Sequence, residues 1–224
     1  MSSLTTLSRE DLERFPRVAL GKPSSLKPSV WRVETQSGPV VVKDTRHVGP
    51  ATRWLARWLV ARERKILMRL HDVDGVTHLV ATVDRDAIVL SLVPGRPLDA
   101  QLFRERPREI VAQLFELTCK LHEIGVFHLD LHQRKNVLVD SDGRLRLVDF
   151  GAAVAPGPVV RFLVGGLLRY VDRHAVYKYM ARFTPEQLSE AEARAVVRYG
   201  RVRWLWPFSP HSRREQMSGR ARLR

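Results

Sequence analysis

Apolar residues recur at two different periods along this chain, and the change from one to the other predicts its organisation. Ser8 ahead of Arg9-Glu10-Asp11 has the form of a helix N-cap with an acid at the third helical position, which predicts a short helix to Phe15 stopped by Pro16. Strand-like runs follow: Arg17-Val18-Ala19-Leu20, Val30-Trp31-Arg32-Val33-Glu34 and Pro39-Val40-Val41-Val42-Lys43, divided by a Gly/Lys/Pro/Ser loop and a Ser37-Gly38 turn. Val76 to Val83 and Ala87 to Leu90 predict an antiparallel pair around Asp84-Arg85-Asp86. Helical spacing marks Trp54 to Leu70, Ile110 to Ile124 with Gly125 as its stop, Val159 to Tyr179, and Pro185 to Arg198. Strands early and helices late describe an α+β chain.

Some of these positions carry a definite expectation about packing. Trp54 and Trp58 lie one helical turn apart and are expected to pack internally, with a lipid-facing basic surface as the alternative. The apolar run Phe162 to Leu168 is core-sized. Cys119, the single cysteine, falls in an apolar helical pattern and is expected to be a buried structural thiol, as suits a reducing compartment.

The densest chemistry lies between His128 and Gly151, HLDLHQRKNVLVDSDGRLRLVDFG. Val137-Leu138-Val139 and Leu145-Arg146-Leu147-Val148 predict two strands around the turn Asp140-Ser141-Asp142-Gly143. Such a hairpin brings its ends together, so the Asn136 amide and the Asp149 carboxylate are expected to reach one hard cation. Mg²⁺ suits them, because it takes few protein oxygens and completes its octahedron with water and phosphates. Asp130 is then free to orient an acceptor hydroxyl and take up its proton.

These residues form a known pattern. His128-x-Asp130, Asn136 and Asp149-Phe150-Gly151 resemble the catalytic loop and metal-binding element of the protein-kinase-like phosphotransferases, including the thirteen-residue step from Asn136 to Asp149. One departure is the six-residue step from Asp130 to Asn136, where that family has five. The resemblance implies a two-lobed fold: a small antiparallel sheet with one main helix, then a mostly helical lobe. It implies boundaries at 1–16 for an N-terminal helical extension, 17–93 and 94–200 for the lobes, and 201–224 for a basic aromatic tail. It also implies ATP and Mg²⁺ as cofactors. Lys43 would hold the α and β phosphates, and Glu63 on the following helix would be its partner. Backbone groups at Ser91 and Val93 would hold adenine, with Leu90 behind it. Ser24 and Ser25 would donate to phosphate from a loop that has only Gly21 where kinases usually have three glycines. His128 would brace the loop, His132 is expected to face water, and Asp172 would either support the loop as a buried acid or form a surface ion pair.

Charge then narrows the partners. With 38 Lys and Arg against 24 acids the net charge is +14, a field that attracts anions. No apolar run reaches the ~20 residues that span a bilayer, and the first fifteen residues carry acids where a secretory signal would be apolar. The expectation is therefore a cytoplasmic protein, with peripheral contact at the inner membrane surface through Trp204, Trp206, Phe208, Arg201 and Arg203 as the sharper reading; RNA or the ribosome could use the same tail. A short chain without a long activation segment looks most similar to bacterial lipopolysaccharide core kinases acting on Kdo or heptose, and to RIO-type atypical kinases. The resemblance thus implies an anionic glycolipid or sugar acceptor. The alternatives are a protein Ser/Thr kinase and a nucleotide-binding pseudokinase.

Overall fold

A computed structural model describes residues 7–21 and 27–202, with side chains to residue 198. Ser24, Ser25 and the tail from residue 203, with Trp204, Trp206 and Phe208, lie outside the described residues. The chain divides into two compact units: residues 1–94 with Asp149–Gly151, and residues 95–148 with 152–224. The architecture is α+β.

The first unit opens with α1 (Arg9–Arg14), closed by a capping box in which Ser8 Oγ accepts from the Asp11 N–H and Asp11 accepts from the Ser8 N–H. Strands β1 (Arg17–Ala19), β2 (Ser29–Thr35) and β3 (Gly38–Asp44) follow, then the long helix α2 (Pro50–Arg69) and strands β4 (Leu79–Thr82) and β5 (Ala87–Ser91). The sheet is antiparallel with order β1-β2-β3-β5-β4. Its register sets Lys43 opposite Val30 on one side and Ile88 on the other. Alternation along β3 sends Val40 and Val42 into an apolar cluster with Leu12, Val33 and Val89, so Lys43, one residue past Val42, falls on the opposite face of the strand. On α2 the buried positions Ala56, Val60, Glu63 and Leu67 repeat every three or four residues, which places a glutamate on the stripe that faces inward. Trp54 and Trp58 lie off that stripe, 68% and 54% exposed, so the internal packing expected of them is not found.

The second unit adds β6 (Arg96–Pro97), α3 (Ala100–Glu105), α4 (Pro107–Glu123), β7 (Val137–Val139), β8 (Leu145–Leu147), α5 (Pro158–Phe183) and α6 (Glu190–Val202). Val137 pairs with Leu147 and Val139 with Leu145, the hairpin the sequence predicts, and β6 joins it as a third strand. On α4 the stripe Ile110, Leu114, Leu117, Leu121 is buried, whereas Cys119, two residues past Leu117, turns outward and is exposed, contrary to the expected buried thiol. The last helix also begins later than expected. Pro185–Gln187 forms a separate turn, and α6 starts after Ser189, whose hydroxyl accepts from the Glu192 N–H.

The larger correction concerns α5. Its C-terminal half is buried, but its first three turns present Val159, Phe162, Leu163 and Leu167 outward, with Phe162 89% exposed. The inward side of those turns is supplied by Gly165, Leu168 and Val171; Leu168 and Val171 pack on Phe127 and Leu129. The run is apolar on both sides of the helix, and one helix can bury only one of them.

Candidate functional site

In the first unit, three side chains distant in sequence meet. The Lys43 Nζ donates to Glu63 Oε1 at 2.7 Å and to Asp149 Oδ1 at 2.9 Å. Strand β3 fixes the lysine stem, α2 supplies the glutamate, and Asp149 is held with a left-handed backbone, φ 63°. Burial alone would lower the Lys43 pKa, but the Glu63 and Asp149 carboxylates outweigh it and hold the ammonium above its ordinary value. Glu63 is almost fully enclosed while Asp149 stays partly open. The lysine is therefore a fixed positive charge anchored from behind by one carboxylate and beside a second that solvent and ligands can reach. Phe150 is fully buried, which pins the backbone next to Asp149.

In the second unit the loop from His128 to Asn136 is held by hydrogen bonds to its backbone and side chains. The buried Asp172 carboxylate accepts from the N–H groups of His128 and Leu129 at 2.9 and 2.7 Å and lies 2.9 Å from His122 Nε2. Of the two readings open for Asp172, the buried brace is the one found. Leu129 takes a left-handed backbone at φ 61°, and the Tyr179 hydroxyl donates to the Leu131 carbonyl at 2.7 Å. His128 Nε2 lies 3.2 Å from the Val148 carbonyl and its Nδ1 is 3.4 Å from the Asp130 N–H. One nitrogen thus faces an acceptor and the other a donor, so both ring nitrogens are used in holding the loop backbone.

Asp130 is the centre of this loop. Its Oδ2 accepts from Gln133 Nε2 at 2.5 Å and from Asn136 Nδ2 at 2.8 Å, and its Oδ1 lies 3.2 Å from His132 Nδ1. His132, expected to face water, is instead largely covered and turned to Asp130. Burial pushes its pKa down, Asp130 opposes this, and Lys178 and His128 add to the lowering. A single helical turn, Arg134–Asn136, ends the loop and delivers the Asn136 side chain to Asp130.

Asn136 also answers whether a divalent cation suits these residues. Both groups near its Nδ2, the Asp130 carbonyl at 3.0 Å and the Asp130 carboxylate, are acceptors, so the amide orientation is determined. Its Oδ1 is buried and accepts no hydrogen bond, an unusual state for an amide oxygen and one a cation would relieve. Among the described residues no three His, Cys, Asp or Glu side chains gather as a metal cluster. An isolated oxygen such as Asn136 Oδ1 suits an ion that brings its other ligands as phosphate and water, and in the first unit the accessible Asp149 carboxylate is of the same kind.

The positions expected to hold adenine fare differently. Ser91 ends β5, where its N–H donates to the His78 carbonyl at 2.9 Å and its carbonyl accepts from Thr77 Oγ1. Val93 lies past the strand end, and its backbone makes no hydrogen bond among the described residues. Sequence reasoning missed His122, Gln133 and Tyr179. Their signal was weak, since each reaches the loop through a fold contact that no local pattern announces.

Comparison with known proteins agrees with this geometry at a coarse level. Residues 80–173, less than half of the chain, match the family described as ABC1 atypical kinase-like domain. The chain is 40% identical over 75 residues to serine/threonine-protein kinase PKH3 of Eremothecium gossypii, covering 31% of this chain and 10% of that protein. It is 32% identical over 95 residues to CBL-interacting serine/threonine-protein kinase 21 of Arabidopsis thaliana, covering 40% and 21%. It is 34% identical over 116 residues to CBL-interacting protein kinase 22 of Oryza sativa subsp. japonica, covering 46% and 25%. The chain thus spans about a tenth to a quarter of the length of these relatives. The likeness is to the protein-kinase-like superfamily, and the relatives named are protein kinases rather than lipopolysaccharide core or RIO-type kinases.

Proposed function

We propose that this protein is an ATP- and Mg²⁺-dependent phosphotransferase that moves the γ-phosphate to a hydroxyl. The observation that carries the reading is the Lys43 ammonium held between Glu63 and Asp149, because a buried, fully charged lysine beside an accessible carboxylate is what positioning a nucleotide's phosphates requires. Lys43 binds phosphate oxygens, and Asp149 and Asn136 each present an oxygen suited to the cation. Bound Mg²⁺ supplies neutralising charge for the phosphates. Asp130, oriented by Gln133 and Asn136, receives the acceptor proton.

The acceptor we favour is a sugar hydroxyl on an anionic glycolipid. Only residues 152–157 separate Gly151 from α5, which leaves little chain to form a platform for a peptide, and the net charge of +14 favours an anionic substrate. The names of the matched relatives favour the second reading, a Ser/Thr protein kinase. Labelled ATP incubated in parallel with lipopolysaccharide-containing lipid extract, a casein-like protein and ribosomes, with Asp149→Ala as control, separates them. Label on lipid alone, lost in the variant, supports the first reading, and label on protein supports the second. ATP bound with Mg²⁺ but transferred to no acceptor would identify a protein that binds nucleotide without turnover.

A further inference from the structure

Arg62 precedes Glu63 on α2 and has no part in the function proposed above. Its Nη2 donates to the Gly151 carbonyl at 2.5 Å, and its guanidinium lies over the Trp58 ring, 5.1 Å from the centroid. Its Nε is buried without a partner. Burial lowers the Arg62 pKa and Glu63 opposes the lowering, so the group is held partly out of water at a cost. An arginine on a helix surface normally swings into solvent to avoid that cost. What keeps this one inward is its stacking on Trp58 and its charge-assisted bond to Gly151.

That bond ends on the segment whose geometry matters most. Asp149 sits at φ 63°, a conformation a non-glycine residue keeps only when its surroundings enforce it. A Cβ on Gly151 would lie 3.3 Å from Asp149 Oδ1 and 3.8 Å from Glu63 Oε2, so the segment is pressed close to the ion cluster. Two adjacent residues of α2 therefore hold the two ends of one three-residue segment. Glu63 acts on Asp149 through Lys43, and Arg62 acts on Gly151 directly.

We infer that Arg62 is a positioning residue: by holding the Gly151 carbonyl to α2 it keeps the Asp149 carboxylate in the orientation that Lys43 and a divalent cation require. Its link to Mg²⁺ rests on the proposed function, whereas its hold on the segment does not. Arg62→Met keeps the apolar stem against Trp58 and removes the donor, and Arg62→Lys keeps a donor.

The test has two arms. In nucleotide-free protein, hydrogen exchange of a peptide spanning residues 148–153 should quicken about tenfold in Arg62→Met, the scale of one charge-assisted hydrogen bond, and return towards the parent rate in Arg62→Lys. In calorimetric titrations, Arg62→Met should weaken Mg²⁺ binding at saturating ATP about tenfold, while ATP binding in EDTA stays at the parent value. Parent-like exchange in Arg62→Met overturns the inference, as does parent-like Mg²⁺ affinity beside faster exchange. If the parent protein shows no Mg²⁺-dependent ATP binding, the proposed function falls, and the exchange arm still decides whether Arg62 holds the segment.

Discussion

The Asp172 carboxylate accepts the N–H of Leu129 at 2.7 Å, and Leu129 is the residue held at φ 61° one position before Asp130. A left-handed backbone costs a leucine roughly 1–2 kcal/mol, and a buried carboxylate placed forty-three residues later offsets it. The same carboxylate receives the His128 N–H and contacts His122. The strained turn that aims Asp130 is therefore imposed by α5 rather than chosen by the loop.

Asp172→Ala should accordingly be costly. It leaves two buried N–H groups and an imidazole without their acceptor, a loss of about 3–5 kcal/mol, which corresponds to a fall in melting temperature of about 10 °C for a chain of this size. Asp172→Asn keeps one acceptor oxygen but turns an NH₂ towards a donor, so about half that loss is expected. Thermal melts of the two variants check the order. Equal and small losses would mean that the loop holds its own shape.

The Lys43–Glu63 pair allows stability and activity to be separated. Lys43→Met leaves the Glu63 carboxylate enclosed without a partner and should destabilise the protein by about 3 kcal/mol. Adding Glu63→Gln removes the stranded charge and should restore most of that stability, since loss of both partners of a buried pair is close to neutral. Phosphotransfer should stay at least a hundredfold down in both variants, the usual effect of removing one fixed charge from a transfer site. Urea melts beside transfer assays read the two quantities. Activity that returns with stability would remove Lys43 from the site.

The local elements were largely legible. The Ser8 capping box, the three strands before residue 45 and the hairpin from Val137 to Leu147 each follow from caps, alternation or turn residues within a few positions. What the sequence concealed depends on the direction an element faces. Cys119 and the Trp54–Trp58 pair sit in apolar helices, but a helix has one buried stripe and they fall outside it. Likewise the strand expected to end at Leu90 runs on to Ser91, and only the contact of Ser91 with His78 shows that its N–H is already used. The residues that support the loop, His122, Tyr179 and Gln133, were illegible because their roles arise from contacts between elements or from one turn's geometry.

The outward face of α5 gives a direct check on that distinction. Phe162 is 89% exposed, so Phe162→Ser should change stability by no more than about 0.5 kcal/mol, the range of ordinary surface changes. Leu168→Ala, on the buried side of the same helix against Phe127 and Leu129, should cost about 2–4 kcal/mol. Chemical melts of the pair should differ by several-fold in effect. Similar losses would return Phe162 to the core that the apolar run suggested.

His132 supplies a pH signature. Its imidazole is held below the ordinary histidine value first by burial, against the pull of Asp130, with Lys178 and His128 adding to the lowering. The unfolded chain, with a histidine pKa near ~6.5, therefore takes up its proton before the folded protein does. The folded state loses stability as pH falls through that unfolded value, and the loss is complete below the lowered folded one. At pH 8 both states are neutral and His132 contributes no pH dependence. His132→Gln should therefore show a shallower loss of stability than the parent as pH falls from about 7.5 to 5, with parallel curves above pH 8. All other titrating groups are common to both proteins, so the difference between the curves isolates this ring. Parallel curves through the acidic range would mean that burial does not hold His132 neutral, the Asp130 carboxylate 3.2 Å away offsetting it in full.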